Sequence, residues 1–407
     1  MLAVLRNNQQ LCELLLERNI DITSQNDFGD TALTTACINS KVDIVKLFLR
    51  LKKCNKGLVN LKNSSGKSPL HIACDNGNVQ LVELLLDNEF IDIDAQDNDG
   101  FTPLHTLIEQ NNIELVELLI ESGCNVNVLD NEGNPPLLTA CRYNRRKIFN
   151  ILVKNYAEIK SVNKVKMNCL IIAAKYNSLD ILADLIKLSE DMDSPMKMYE
   201  ERDNNGDTGF IVACKNGNMV VINMLLKSTN FVNFDAQNND GNTGFLCLCK
   251  ATQDIKSIEI LVHKCDVNKK NKDGDCALLV AARQDDYALI KLLIEQGEAN
   301  VNISNKEKET SLCIACEKEN IKVVKYLIEH GADPNLQNSI GFTGLLHACQ
   351  RNHTKIAKFL LKNQVTHNYS LTNLRTYSLV HSFTRQILTF RMRRDTQHWF
   401  GHQSNKI

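Results

Sequence analysis

The sequence repeats itself with a period of about 33 residues, and this periodicity constrains the fold more than any other feature. One turn glycine recurs at steps such as the 34 residues from Gly66 to Gly100, and Lys166 and Lys308 stand where two more are expected. Ten full copies are therefore predicted between residues 26 and 365. Units this small cannot bury a core alone, so each must cover its neighbour. The turn glycines are Gly29, Gly66, Gly100, Gly133, Gly206, Gly241, Gly274 and Gly341.

Each copy predicts two short helices joined by polar turns. The first begins at a Thr or Ser, as in Thr102 to His105 (Thr-Pro-Leu-His). Such a residue caps a helix start, and proline at the first helical position loses no hydrogen bond. The second helix is more apolar, with helical spacing in Val79 to Leu86, Ile113 to Ile120 and Ile321 to Ile328.

The period and the Thr-Pro-Leu-His segment resemble the ankyrin repeat, and the resemblance extends over residues 1 to 365. It implies an all-α fold, an α-solenoid of stacked helix-turn-helix units with short β-hairpin-like loops. Residues 1–25 match only the later part of a copy, and are either a cap or a partial repeat of a longer array. Residues 26–365 are the ten tandem repeats. Residues 366–407 hold six basic residues against Asp395, and are a basic tail, a degenerate cap or a mistaken gene end.

Two copies carry extra residues after the second helix, at Leu51 to Gly57 and at Ser189 to Glu201. These insertions are either tolerated surface length or loops that contact a partner. The second is acidic, whereas the stretch before it is basic and has Glu158 as its single acid. This charge pattern favours a solvated face and leaves the orientation of a partner as the alternative. The basic residues are Arg142, Arg145, Arg146, Lys147, Lys154, Lys160, Lys164 and Lys166.

The composition restricts the class of protein. The formal net charge of -1 argues against a general nucleic-acid binder. No apolar run approaches the roughly 20 residues that span a bilayer, so membrane insertion is not expected. The 15 cysteines lack a short-spaced disulfide framework, which is typical of a reducing compartment. We therefore expect a cytoplasmic protein, with the nucleus as the alternative, and a monomer.

The residues that resemble catalytic or metal-binding groups have structural interpretations. Seven cysteines share one repeat position, which holds Ala174 or Ala282 in other copies, so we expect small packing residues there. Cys313 and Cys316 have no second pair at zinc-site spacing. The resemblance implies that histidines at a shared position, such as His71, brace neighbouring hairpins. With no phosphate-binding or hydrolase motif, we predict no catalytic residue, cofactor or metal. The seven cysteines are Cys37, Cys74, Cys141, Cys214, Cys249, Cys316 and Cys349.

The resemblance also implies where a partner binds: at the hairpin tips and at the exposed end of the first helix. Tyr143 and Tyr176 lie 33 residues apart at one repeat position, so we expect them to be neighbours. Exposed aromatic and arginine side chains carry much of the energy of interfaces, although isolated surface aromatics are the alternative. The tip positions also include Asp30, Asp207 and Asp275. The predicted partner-binding residues are Phe28, Phe101, Glu109, Gln110, Arg142, Tyr143, Met167, Tyr176, Arg283, Phe342 and Arg351.

These observations predict a non-catalytic scaffold or adaptor that binds one or more proteins, and no nucleic acid. The alternative is a regulatory or substrate-recruiting ankyrin part of a larger enzyme, ubiquitin-ligase or channel assembly. The resemblance further suggests that loop asparagines such as Asn127, Asn268 and Asn302 are hydroxylation targets. A repeat array serves unrelated ligands, so the sequence does not name the partner.

Overall fold

The computed structural model describes residues 1–18, 20–50, 56–190, 195–227, 231–252 and 254–363. Over these ranges the chain forms α-helices and no extended strand, which confirms the all-α prediction. The predicted hairpin-like loops contain two isolated β-bridges, Gln237 with Thr243 and Ser304 with Thr310.

The helices divide between two compact units. Unit 1 comprises Met1–Ala213 with Asn218–Asn233, and unit 2 comprises Cys214–Gly217 with Phe234–Ile407. The helices up to the start of unit 2's main segment are α1 Leu2–Leu5, α2 Gln9–Glu17, α3 Ala32–Ile38, α4 Val42–Leu49, α5 Lys56–Val59, α6 Pro69–Asp75, α7 Val79–Leu86, α8 Pro103–Gln110, α9 Ile113–Glu121, α10 Pro136–Arg142, α11 Arg146–Lys154, α12 Cys169–Tyr176, α13 Leu179–Glu190, α14 Pro195–Glu200, α15 Gly209–Lys215 and α16 Met219–Lys227. The later helices are α17 Gly244–Ala251, α18 Ile255–Val262, α19 Ala277–Gln284, α20 Tyr287–Glu295, α21 Ser311–Glu317, α22 Ile321–Glu329, α23 Gly344–Gln350 and α24 Thr354–Lys362.

Side-chain caps fix where the helices begin. Thr31 and Asn168 accept a hydrogen bond from the backbone N–H three residues later, at 3.1 and 2.8 Å. Second helices use asparagine in the same way, as Asn112 does before α9. Each such cap contributes about 1 kcal/mol to helix stability. The proline at the first position of α6, α8 and α10 agrees with the helix starts predicted from the sequence.

Within each unit the helices stack in two rows. In unit 1 the first helices α3, α6, α8, α10 and α12 contact one another in order, and the second helices α4, α7, α9, α11 and α13 do the same. In unit 2 the first helices are α17, α19, α21 and α23, and the second helices are α18, α20, α22 and α24. The core lies between the rows, where Leu70, Leu104 and Phe149 are fully buried.

The cysteines at the shared repeat position pack inside this core. Cys37, Cys74 and Cys141 are fully buried, and even Cys349 is only 8% exposed. A Cβ added to Gly344 would lie 3.0 Å from the sulfur of Cys316, so the helices are close at this position. The predicted packing role is therefore confirmed.

The hairpin turns require a left-handed backbone. Gly100 has φ of +80°, and an added Cβ would lie 2.5 Å from the backbone nitrogen of Asn131. Lys166 and Lys308, which stand where glycine was expected, also have positive φ, +62° and +57°. Their conformation confirms that both lysines occupy the turn position, although a side chain there costs about 1 kcal/mol or more.

Amide side chains tie neighbouring repeats together within each unit. The Asn127 amide donates to the carbonyl of Tyr156, and its oxygen accepts from the backbone N–H of Glu158 at 3.0 Å. Asn268 and Asn302 make the same pair of bonds further along the chain. Because both ends of these amides are engaged, the asparagines have a structural role. Their hydroxylation stays a prediction.

The outlying segments are only partly described. Residues 1–25 contain the short α1 and the longer α2, as the sequence suggests. The insertions hold two short helices that periodicity did not predict, α5 and α14. Residues 51–55 and 191–194 and the whole predicted tail at 366–407 lie outside the described residues. The count of ten repeats and the assignment of the first 25 residues stay predictions.

Candidate protein-interaction site

The two histidines of the Thr-Pro-Leu-His type are structural. In each, Nδ1 accepts from the backbone N–H of the helix cap, Ser68 or Thr102, at 3.2 Å. Nε2 of His71 then donates to the carbonyl of Phe101, 2.9 Å away in the next hairpin. Burial lowers the pKa of His71 and of His105, since the charged form loses its hydration. Both imidazole rings therefore stay neutral and hydrogen-bond neighbouring repeats to each other.

One concave site in unit 1 collects six of the predicted partner-binding residues. It is a cavity of about 90 Å³ between the hairpin tips and the ends of α8, α10 and α12. Small-molecule and cofactor sites usually enclose about 300–1,000 Å³, so this cavity suits a single side chain. We call it the unit 1 cavity; it is lined by Phe101, Glu109, Asp130, Glu132, Asn134, Leu138, Thr139, Arg142, Tyr143, Asn163, Val165, Met167, Ile172, Lys175 and Tyr176.

Tyr143 is fixed by an acceptor from the neighbouring helix. Its hydroxyl donates a short hydrogen bond to the carboxylate of Glu109. This hydrogen bond to the carboxylate raises the pKa of Tyr143, so the phenol keeps its proton. Because Glu109 lies in the last turn of α8 and Tyr143 follows α10, the contact joins two consecutive repeats at the cavity wall.

Arg142 lies between two aromatic rings. Its guanidinium carbon is 5.7 Å from the centre of the Tyr143 ring and 5.3 Å from that of Tyr176. Its Nη1 is 3.8 Å from the carboxylate of Glu132 at the hairpin tip. The two tyrosines are therefore close together, as their shared repeat position predicts, and Arg142 lies between them. Such an arrangement contributes about 0.5–1 kcal/mol per ring at an exposed site.

Arg145 holds the wall of the cavity in place. It donates from Nη2 to the carbonyl of Glu109 at 2.6 Å and from Nε to the carbonyl of Ile108 at 3.3 Å. These carbonyls belong to the last turn of α8, where helix carbonyls lack a full set of partners; that of Ile108 also accepts from the backbone N–H of Asn111. The arginine thus caps α8 and positions Glu109, and it belongs to the supporting structure.

The structure places the other predicted residues apart from this cavity. Phe28 is 74% exposed at its own hairpin tip. Gln110 donates to the carbonyl of Asp75 at 3.0 Å, which occupies its amide. Phe342 lies in unit 2 and packs on His347 with ring centres 5.4 Å apart. None of these three residues lines the unit 1 cavity.

Arg283 and Arg351 line a second, more open concave surface, in unit 2. Its volume is about 470 Å³, and its other lining residues are Glu309, Ile314, Glu317 and Lys318. Arg283 pairs with Asp275 and lies 3.5 Å from Glu309, whereas Arg351 pairs with Glu317. Both arginines are already neutralised by acids of their own unit, so this surface is less free to bind a charged partner than the sequence suggests.

The tip aspartates are a correction to the sequence-based list. Asp30, Asp207 and Asp275 are 7%, 2% and 8% exposed. All three side chains are buried, and Asp275 pairs with Arg283 of α19. They are unsuitable as contact residues for a partner.

Sequence reasoning also missed residues that line the cavity. Glu132 and Val165 stand at the middle of hairpin turns, and Asn134 donates to the carboxylate of Asp130 at 2.9 Å. Their position beside the turn glycine or lysine is the signal that would have found them. Asn163 then joins the two hairpins through the side-chain oxygen of Asn134.

Over the described ranges, no three His, Cys, Asp or Glu side chains come together as a candidate metal site. In the same part of the chain, no helix is both long enough and apolar enough to cross a bilayer.

Comparison with known protein families agrees with the stacked helix pairs. A model of ankyrin repeats in three copies matches residues 1–97, 89–163, 170–271 and 245–338. These matches cover most of the sequence, and the chain belongs to the ankyrin-repeat family. Proteins of this family bind other proteins through the repeats.

The curated relatives match only in part. The ankyrin repeat-containing protein ITN1 of Arabidopsis thaliana is 40% identical over 68 residues, which are 17% of this chain and 11% of that protein. The probable E3 ubiquitin-protein ligase XBOS33 of Oryza sativa subsp. japonica is 35% identical over 84 residues, 21% of this chain and 16% of the ligase. SMC5-SMC6 complex localization factor protein 1 of Homo sapiens is 41% identical over 58 residues, 14% of this chain and 5% of that protein. The similarity therefore spans a small fraction of each relative.

Proposed function

We propose that the chain is a non-catalytic protein-interaction scaffold whose unit 1 cavity receives a side chain of the partner. The observation that carries this proposal is the convergence of Phe101, Arg142, Tyr143, Met167 and Tyr176 on one concave surface. Aromatic and arginine side chains around a small pocket form the kind of site that dominates protein interfaces. We further propose a cytoplasmic monomer, to be checked by a fluorescent fusion and by light scattering on the purified chain.

The test removes the two rings and measures capture of partners. We expect Tyr143→Ala with Tyr176→Ala to weaken binding of the main captured protein by about 2 kcal/mol or more, roughly 30-fold, as for central interface aromatics. The readout is quantitative affinity purification followed by titration with the purified partner. Tyr143→Phe keeps the ring and removes only the bond to Glu109, so it should retain most of the affinity.

A matched control uses an aromatic residue of unit 2. Tyr287→Ala removes a half-buried tyrosine that faces Lys322 and should leave capture unchanged. Circular dichroism of all variants should match that of the parent chain. Full retention of every partner by the double variant would refute the role of the cavity.

A second candidate rests on the relatives that are named as E3 ubiquitin-protein ligases. In this alternative the chain is the regulatory or substrate-recruiting ankyrin part of a larger enzyme, ubiquitin-ligase or channel assembly. Mass spectrometry of the purified complex distinguishes the two, since a stoichiometric enzyme or channel subunit is expected only in the second case.

A further inference from the structure

A strip of alternating basic and apolar side chains runs along the surface of unit 1. It starts where α11 ends and continues to the next hairpin tip. Tyr156 is 90% exposed, and Val162 and Val165 are each 44% exposed. We call it the lysine strip; its exposed members are Lys154, Tyr156, Glu158, Lys160, Val162, Lys164, Val165 and Lys166.

The apolar members interrupt a hydrogen-bonding pattern that is found in other repeats. At the position before the turn, Gln96 donates to the carbonyl of Gly100 at 2.8 Å and to that of Leu129 in the next repeat at 2.7 Å. Gln25 and Gln237 make equivalent bonds. Leu129 occupies this position in the next repeat and Val162 in the repeat after that, and neither side chain can donate a hydrogen bond. Both residues therefore lack the hydrogen bond that glutamine makes between repeats. Leu129 is 51% exposed and Val162 is 44% exposed, so both present aliphatic surface.

Leu129 extends the apolar part of the strip to the preceding repeat. The Gln96 side chain reaches the backbone of the residue 33 positions later. Leu129 stands in its repeat where Gln96 stands in the one before, and Val162 is the residue 33 positions after Leu129. Two exposed aliphatic side chains therefore occupy equivalent positions in consecutive hairpins.

The cations of the strip are available for binding. No ion pair engages Lys154, Lys160 or Lys166 among the described residues, and Lys164 uses its ammonium only to donate to the carbonyl of Asn131 at 2.7 Å. With four lysines and Glu158 as the one acid, the strip carries a net charge of +3, from four minus one, in a chain whose net charge is -1. This local excess of positive charge attracts an acidic ligand.

We propose that the lysine strip binds an extended acidic protein segment in which carboxylates alternate with apolar side chains. Every second side chain of an extended segment points to the same face, so the carboxylates and apolar side chains that meet the strip must alternate along that one face. Val165 belongs to both the strip and the unit 1 cavity, so the segment leads a partner into the cavity. In this respect the inference rests on the proposed function.

Nucleic acid fits the same surface less well. Single strands are usually bound by several aromatic rings that stack with bases, combined with a continuous positive groove. The strip has one aromatic ring, Tyr156, and a carboxylate, Glu158, lies among its lysines. The aliphatic side chains of Leu129, Val162 and Val165 complement apolar protein side chains.

The test is fluorescence anisotropy of the full chain with a labelled Glu-Leu peptide that repeats Glu-Ser-Leu-Ser, which places Glu and Leu alternately on one face when the peptide is extended. We expect binding that weakens as salt is added, and much weaker binding of the matching Gln-Leu and Lys-Leu peptides. Lys160→Gln and Lys166→Gln should each reduce affinity roughly 2- to 5-fold, as for exposed ion pairs. Leu129→Gln with Val162→Gln should reduce it roughly 5-fold or more through lost apolar contact.

The controls separate folding and ligand class from binding. Glutamine is the residue that this repeat position holds at Gln96, so Leu129→Gln and Val162→Gln should preserve the circular dichroism spectrum. Lys355→Gln with Lys358→Gln removes the same charge from unit 2 and should leave the peptide affinity unchanged. A single-stranded oligonucleotide and phosphatidylserine vesicles serve as other anionic ligands. Tighter, lysine-dependent binding of either one would overturn the proposal.

The strip and the cavity can fail separately. Equal affinity of the parent chain and the Lys160→Gln, Lys166→Gln variant for the Glu-Leu peptide overturns the strip, even if Tyr143→Ala with Tyr176→Ala still abolishes partner capture. Lysine-dependent peptide binding with undiminished partner capture by the tyrosine variant supports the strip and overturns the cavity.

Discussion

The turn lysines illustrate how a repeat position imposes its conformation on an unfavourable residue. Lys166 and Lys308 adopt the left-handed backbone that glycine takes in the other turns. Hydrogen bonds across the turn hold them there, such as that from the Lys308 N–H to the Asn305 carbonyl at 3.0 Å. The surrounding hairpin therefore sustains a strain of about 1–2 kcal/mol at each lysine.

Relief of this strain gives a stability prediction. Lys308→Gly should raise the free energy of unfolding by roughly 0.5–1 kcal/mol, because the removed strain exceeds the extra chain entropy of glycine. Urea denaturation monitored by circular dichroism measures the change. Gly274→Ala is the converse control: φ is +83° and the new Cβ would lie 2.6 Å from the backbone nitrogen of Lys306, so it should destabilise. A lower midpoint for Lys308→Gly would contradict the argument.

At the scale of elements, the histidine braces make the hairpin contacts sensitive to pH. Burial lowers the pKa of His71 and His105 in the folded chain, whereas the unfolded chain titrates near 6.5. The unfolded state therefore binds more protons as the pH falls below about 6.5, and stability decreases in that direction. Above about pH 6.5 both states are neutral and this contribution is fully present.

The expected result is a urea midpoint that falls between about pH 7.5 and about pH 5. His71→Leu with His105→Leu should reduce this dependence of stability on pH, because leucine does not titrate. Leu138 and Leu346 occupy the same position in other repeats, so the fold accommodates leucine there. The double variant loses two hydrogen bonds and is expected to be less stable at about pH 7.5. An unchanged pH dependence would show that these imidazoles do not control the transition.

The sequence predicted the helices well where the period is regular. The stretch Val79 to Leu86 forms α7 with the same bounds, and Ile113 to Ile120 forms α9 with one more residue. The insertions gave no periodic signal, so α5 and α14 were not predicted. The adjacency of Tyr143 and Tyr176 followed from the 33-residue period. The placement of Arg142 between them and the bond from Tyr143 to Glu109 did not, because side-chain rotamers depend on tertiary neighbours.

The lysine strip was only half visible in the sequence. Its positive charge was apparent, but Arg145 and Arg146, which seemed part of the same face, are engaged elsewhere. Arg145 caps α8, and Arg146 forms two 2.7 Å contacts with Asp184. The sequence alone does not show that Leu129 and Val162 replace a glutamine that hydrogen-bonds neighbouring repeats, because these hydrogen bonds are visible only in the structure.

For the whole molecule, the burial of thiols predicts low reactivity. Burial raises the pKa of Cys37, Cys124 and Cys265 to about 12, so little thiolate is present at neutral pH. Only Cys265 of the described cysteines is partly exposed. Titration of the native chain with a thiol-reactive dye should therefore be slow at the buried cysteines. In denaturant all 15 cysteines should react. Rapid native labelling of the core cysteines would contradict the packing described above.

The hydrogen bonds between neighbouring repeats join residues that are close along the chain. The contact from Asn127 to Tyr156 spans 29 residues, and that from Asn144 to Asp180 spans 36. Contacts between residues this close in sequence carry a small entropic penalty for loop closure and favour rapid folding. During synthesis, a newly emerged helix pair finds its binding surface on the pair translated just before it. The chain can therefore become ordered progressively as it leaves the ribosome, without waiting for its distant end.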